Sequence, residues 1–113
     1  MPDHFITLAE ARELTTAYKA TKEALLNPLY VTRDILPNCE TFDRAAIEAV
    51  LDQPGCTQVR IYYGLDANLA VHAIIVGVDA NNDDLLPSDP DAPNQQIMEK
   101  AHRCPDICPR NPL

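Results

Sequence analysis

The sequence predicts a single α+β domain. It comprises two N-terminal helices, a three-stranded antiparallel meander, a short C-terminal helix and a proline-rich tail. Apolar residues recur at helical spacing as far as about residue 53, then alternate at strand spacing from Val59, and prolines cluster toward the C-terminus. At 113 residues the chain has the size of one domain, 1–113, able to close a single core.

The first helix falls in "ITLAEARELTTAYKATKEALLNP". Thr7 and Glu10 fit a capping box, in which hydroxyl and carboxylate satisfy the orphan N–H groups of a helix start. Leu8, Ala11, Leu14, Tyr18 and Leu25 fall on one stripe, predicted to face the core. Asn27-Pro28 stops the helix, because proline has no N–H and clashes with the turn before it. An irregular stretch follows, anchored by Leu29, Tyr30, Val31, Ile35 and Leu36.

The second helix runs from Asp43 to about Gln53. Asp43 is its N-cap, Phe42 can staple onto Ile47, and Ala46, Ile47, Val50 and Leu51 make the buried face. Pro54 and Gly55 end it.

Alternation then replaces the helical pattern. "VRIYYG" sets Val59, Ile61 and Tyr63 on one side and Arg60 and Tyr62 on the other. "LDAN" is a turn, and "LAVHAIIVGV" is a strand apolar on both faces, hence central and covered on both sides. "DANNDD" turns again, and Leu85 and Leu86 begin the third strand. Residues 87–96 read as an acidic proline-rich linker, "QQIMEKAHR" as two helical turns, and 104–113 as an extended tail. No internal repeat stands out.

Composition narrows the function. Aromatic residues are 5% and Trp is absent, so the core rests on small aliphatic side chains. A net charge of -8 disfavours nucleic acid and anionic membranes as partners. Between Arg60 and Lys100 no Lys or Arg occurs, while Asp66, Asp79, Asp83, Asp84, Asp89, Asp91 and Glu99 do. That stretch reads as a solvated acidic surface or as a cation-binding face. No signal-peptide pattern begins the chain, and "AVHAIIVGV" is too short to span a bilayer. The expected setting is cytoplasmic, where Cys39, Cys56, Cys104 and Cys108 would be free thiols.

Three stretches carry possible chemistry. In "HRCPDICPR", His102, Cys104 and Cys108 offer one imidazole and two sulfurs, a donor set for zinc or copper with His72, Cys39 or Cys56 as a fourth ligand. The second tight ligand pair usual in zinc sites is missing, so a packed tail with no metal or other cofactor is the reading taken. "DANNDD" places Asp79, Asn81 and Asp83 at calcium-loop spacing. Asp84 stands where glycine is needed and Pro90 where the bidentate Glu belongs, which leaves an Asx-rich turn.

His72 is the one histidine inside an expected element. An odd-length hairpin loop puts it beside Arg60 and Tyr62, a polar cluster able to bind an anion. An even one puts it beside Ile61 and Tyr63. No phosphate loop, nucleophile elbow or zinc-protease motif occurs.

"CPDICP" also resembles the copper motif of the thioredoxin-like proteins that deliver copper to cytochrome oxidase, the Sco family. That match spans six residues and implies strands and helices downstream of the motif, where this sequence has five residues. It is taken as chance. Across nearly its full length, through "HFITLAEARELTTAYK", "ILPNCETFDR", "VRIYYGLDANLAVHAIIVGVD" and "RCPDICPRNPL", the chain resembles a group of small bacterial proteins with a C-terminal cysteine-proline tail. No activity is assigned to that group, so the resemblance implies no site.

The expectation is therefore a non-enzymatic binding or assembly module, a homo-oligomer joined through its sheet. The alternative is a thiol-based metal-binding or redox protein using Cys104 and Cys108. An enzyme built on His72, Arg60 and Tyr62 is a third reading.

Overall fold

The computed structural model describes residues 4–91, 94, 96–99, 101–104 and 107–113. Two helices and five strands in two sheets make a mixed α and β fold. Helix α1 covers Leu8–Thr21. The Thr7 Oγ1 accepts the Glu10 N–H at 3.0 Å and its hydroxyl donates to Glu10 Oε1 at 3.1 Å. The helix is shorter than the sequence suggests, giving way to 3₁₀ turns over Lys22–Leu25 and Pro28–Tyr30.

The expected core stripe of α1 is not buried. No residue of the helix is buried, and Leu8, Leu14 and Leu25 are exposed. Polar contacts moor this end of the chain instead: the Tyr18 hydroxyl donates to the Pro37 carbonyl at 2.7 Å and Lys22 Nζ to the Leu36 carbonyl at 2.6 Å.

Strand β1, Cys39–Thr41, precedes helix α2, Arg44–Leu51. Asp43 is the N-cap through its carbonyl, which accepts from the N–H groups of Ala46 and Ile47. Val50 is fully buried, whereas Leu51 lies on the outside. Strands β2 (Gln58–Leu65), β3 (Val71–Val78) and β4 (Ile97–Met98) form one antiparallel sheet in the order β2-β3-β4. Strand β5, His102–Cys104, pairs with β1 in a second, two-stranded sheet. Helix α2 packs on β3 and β4.

Two expectations are corrected here. Leu85 and Leu86 do not make the third strand. Leu85 donates to the Gly77 carbonyl at 2.9 Å and Asp84 bridges Val78, then the ladder stops. Pro87 follows without an N–H to extend it, and Ile97–Met98 takes the edge further along. Nor do residues of "QQIMEKAHR" form a C-terminal helix. Asn94 Oδ1 accepts from the N–H groups of Gln96 and Ile97 at 2.9 and 3.0 Å, launching an extended course. Two isolated helical turns are marginal in water, whereas β4 and β5 bury Met98 and Cys104 against existing edges. Of the linker and tail, Ala92, Pro93, Gln95, Lys100, Pro105 and Asp106 lie outside the described residues.

Both hairpin turns are the same device. Asp66 Oδ1 accepts from the N–H groups of Asn68 and Ala70, and Asp79 Oδ1 from those of Asn81 and Asp83, at 2.8 and 3.0 Å in each case. The fourth residue of each turn, Leu69 or Asn82, takes a positive φ of 65° or 69°. Asn is at home there and Leu is not. The "DAN" shared by the two turns is thus a structural repeat that composition alone did not flag.

The buried core is small: Ile35, Val50, Ala70, Val76, Val78, Met98 and Cys104. Strand β3 is buried only over Val76–Val78 and half-buried over Val71–Ile75, so the expected cover on both faces is incomplete. Val59, Ile61, Tyr63 and Leu65 on one face of β2 are exposed. No helix of the described residues is long and apolar enough to cross a membrane.

Candidate functional site

A five-residue loop, residues 66–70, joins β2 to β3 and sets Gly64 opposite His72. The odd length puts His72 on the face of β2 that carries Arg60 and Tyr62, but the structure divides the three between two clusters. Arg60 pairs through Nη1 with Asp84 Oδ1 and through Nη2 with Asn82 Oδ1, while the Tyr62 hydroxyl donates to Asp84 Oδ2. The Tyr62 hydroxyl and then the Arg60 guanidinium hold the Asp84 carboxyl below the usual carboxylate range. Asp84 in turn raises the Arg60 and Tyr62 pKa values.

His72 stands among carboxylates. Its Nε2 lies 2.8 Å from Asp66 Oδ2, and its Nδ1 lies 2.7 Å from Glu99 Oε1 and 3.5 Å from Glu40 Oε2. The His72 contact, followed by the turn N–H groups of Ala70 and Asn68, holds the Asp66 carboxyl below its ordinary pKa. One oxygen of Asp66 builds the turn and the other orients the imidazole. The hairpin brings them together, since Asp66 opens the turn and His72 is the second residue of the strand that follows it.

Glu40 explains how the two sheets meet. It projects from β1 to the free edge of β3, where its Oε1 accepts the Ala73 N–H at 2.8 Å. A carboxylate oxygen thus replaces a strand carbonyl beyond the end of β4. The Val71 N–H is met by the Ile35 carbonyl at 2.7 Å along the same edge. Arg103 of β5 closes this side: its Nη1 donates to the Val71 carbonyl and lies 3.5 Å from Glu40 Oε2, and its Nη2 donates to the Asp34 carbonyl. The Glu40 side chain is 9% exposed, that of His72 18% and that of Arg103 15%. Glu40 Oε2 and His72 Nδ1 are buried without a hydrogen-bond partner among the described residues.

Glu99 follows β4 and borders two clefts. One of about 390 Å³ is lined by Gly64, Leu65, Asp66, His72, Ile74 and Glu99. The other, about 680 Å³, lies against α2 and includes Phe42, Met98 and His102.

The tail residues stand apart from this cluster. Cys104 is buried and joined to Cys108 as a disulfide, with the Cα atoms 4.7 Å apart. The Ile107 N–H donates to the Arg103 carbonyl at 2.6 Å. With its sulfurs joined the pair has no thiolate to offer a metal. His102 is exposed on β5, Cys39 is in register with Cys104, and Cys56 lies beside Gly77. Ile107 and Leu113 of the tail are exposed, so they do not carry the packing expected of it.

Sequence reasoning marked Asp66 and Glu99 as members of a cation-free acidic stretch and missed Glu40 and Arg103. No protein-family model, curated protein or solved structure matches the chain, so its function is read from geometry.

Proposed function

We propose that the protein is a non-enzymatic binding module that self-associates through the β2 side of its three-stranded sheet. One observation carries the reading. Strand β2 is an eight-residue edge strand whose exposed face, Val59, Ile61, Tyr63 and Leu65, holds no charge. Soluble proteins blunt such edges with charges, proline, bulges or a covering segment. Here the strand's single cation, Arg60, points to the other face and is met by Asp84. A second copy is the fitting occupant, because an antiparallel edge can pair with itself about a two-fold axis. The net charge of -8 supports a protein partner over nucleic acid.

Light scattering between 1 and 100 μM (about two decades around ordinary weak-dimer affinities) tests it. The expected result is a mass above one chain that Ile61→Lys returns to the monomer without lowering secondary structure. A monomer throughout, or an unchanged mass in Ile61→Lys, would refute it. A thiol redox role is the second reading, supported by the bonded Cys104–Cys108 pair and by Cys39 in register with Cys104. Redox titration decides it: a potential below about -300 mV marks a structural bond and a higher one a working pair.

A further inference from the structure

We propose that Glu40, His72 and Glu99 form a binding site for one first-row transition-metal dication, with Asp66 fixing the histidine. The three ligand atoms converge within 4.8 Å of one another. They come from three separate parts of the fold, β1, β3 and the residue after β4.

The orientation of the ring is the first argument. A neutral imidazole that donates from Nε2 to Asp66 presents a bare lone pair at Nδ1. That lone pair faces oxygens of Glu40 and Glu99, so acceptors meet acceptors. Nδ1 is 2.7 Å from Glu99 Oε1 yet is not aligned to hydrogen-bond it, so a proton on Nδ1 would make an ion pair with Glu99 and still leave Glu40 Oε2 without a hydrogen bond. A metal ion resolves the contact, because it accepts all three lone pairs at once. Metal-bound histidines characteristically give their other N–H to a carboxylate, which is the place Asp66 holds.

Burial is the second argument. Glu40 is 9% exposed and spends one oxygen on the Ala73 N–H. Its other oxygen, Oε2, is buried, aimed at His72 and without a hydrogen-bond partner among the described residues. Arg103 Nη1, 3.5 Å away, offsets part of its charge without hydrogen-bonding it, and a buried carboxylate oxygen with no hydrogen bond is costly. Ligand atoms about 2.1 Å from a tetrahedral zinc stand roughly 3.4 Å apart. The Nδ1 to Oε2 separation of 3.5 Å fits that edge. Glu99, whose side chain is 41% exposed, has the freedom to swing outward by the small amount its coordination requires.

Charge gives the third argument and the valence. Glu40, Glu99 and Asp66 carry three negative charges, and Arg103 beside Glu40 returns one. With a neutral imidazole two remain, which one dication balances. One nitrogen and two carboxylates favour a borderline transition ion over calcium or magnesium, which take oxygen ligands alone. The 390 Å³ cleft lined by Asp66, His72 and Glu99 opens the His72 and Glu99 side of the cluster to solvent.

The test uses zinc and cobalt on the full chain. Calorimetric titration with Zn²⁺ should show one ion per chain. Glu40→Gln, which keeps an oxygen for the Ala73 N–H, and Glu99→Gln, at a more exposed position, should each weaken zinc by at least the ~10–100-fold that losing an outer partner costs. The double variant Cys104→Ser with Cys108→Ser should bind as the wild type does. Co²⁺ should give ligand-field absorption without a sulfur charge-transfer band. Circular dichroism confirms that each variant is folded. No saturable binding at millimolar zinc, equal affinity in the folded Glu40→Gln and Glu99→Gln variants, or binding lost only with the two cysteines would each overturn the proposal.

Discussion

Val50→Ala and Val59→Ala delete the same two methyl groups from opposite environments. Val50 is 1% exposed, on the helix α2 that packs against β3 and β4; Val59 of β2 is 48% exposed. Each buried methyl is worth about 0.8 kcal/mol in transfer alone. Removing two from a site that cannot fully collapse adds a cavity term, for about 2–3 kcal/mol in total. A domain of this length has about 6–17 kcal/mol in hand, and its short list of buried residues points to the lower end. Val50→Ala should therefore remove about a third of the stability, whereas Val59→Ala should change it by no more than about 0.5 kcal/mol. Urea unfolding followed by circular dichroism reads both, at 1–2 μM (about the dilute end of such assays, to keep association out). An unchanged m-value would show that only stability moved. Equal losses in the two variants, or a loss under about 1 kcal/mol in Val50→Ala, would mean that α2 is not seated on the sheet as described.

Acid should weaken the fold through Asp66 and Asp84. Both carboxyls sit below their ordinary value of 3.8 in the folded chain, held down first by His72 and Tyr62 respectively. A depressed carboxylate contributes stability that is fully present above its unfolded pKa and lost as the pH falls below 3.8 toward the folded value. Asp66→Asn and Asp84→Asn should each lose less melting temperature than the wild type between neutral and acidic buffer, and equal losses would refute the assignment. Reducing the Cys104–Cys108 bond should cost about 2 kcal/mol or less, since so short a loop constrains the unfolded chain little. A loss well beyond that on adding dithiothreitol would show that the bond organises β5 as a whole.

Local chemistry in the sequence proved legible wherever one residue decides a backbone geometry. Thr7 with Glu10 and the turns at Asp66 and Asp79 stand where their side chains accept orphan N–H groups, and Asp43 stands at the N-cap of α2, where its carbonyl does so. The alternation in β2 and β3 was equally plain. What periodicity could not show is which apolar stripes find a partner. Leu8 and Leu14 repeat at helical spacing yet lie exposed, because pattern encodes the face and not its cover. The segment 95–103 carries helical spacing and strand-length apolar pairs at once, and the vacant edges of β3 and β1 decided in favour of strands. Of the site, His72 was readable, but its face was not, because that depended on the length of the loop before it. Glu40 was not, since nothing local marks a residue 32 positions upstream (about the reach of a whole supersecondary unit) as a strand-edge partner.

Glu40 ties the fold to the proposed chemistry. Strand β4 pairs with β3 only at Ile75 and Val76, so the edge beyond it exposes the Ala73 N–H. A backbone carbonyl from a longer strand would satisfy that donor at no electrostatic cost. The chain instead uses a carboxylate, which brings a second oxygen and a full charge into a nearly closed space. Arg103 compensates part of that charge from β5, the partner strand of β1, and His72 meets the other oxygen from β3. The contact that joins the two sheets is therefore the contact that assembles the metal ligands, and a bound dication would cross-link β1, β3 and the chain after β4. Because a ligand held only by the folded state stabilises it by mass action, zinc should raise the melting temperature of this thinly packed domain. The same addition should raise the melting temperature of Glu40→Gln less, and an equal rise in both proteins would count against Glu40 as a ligand.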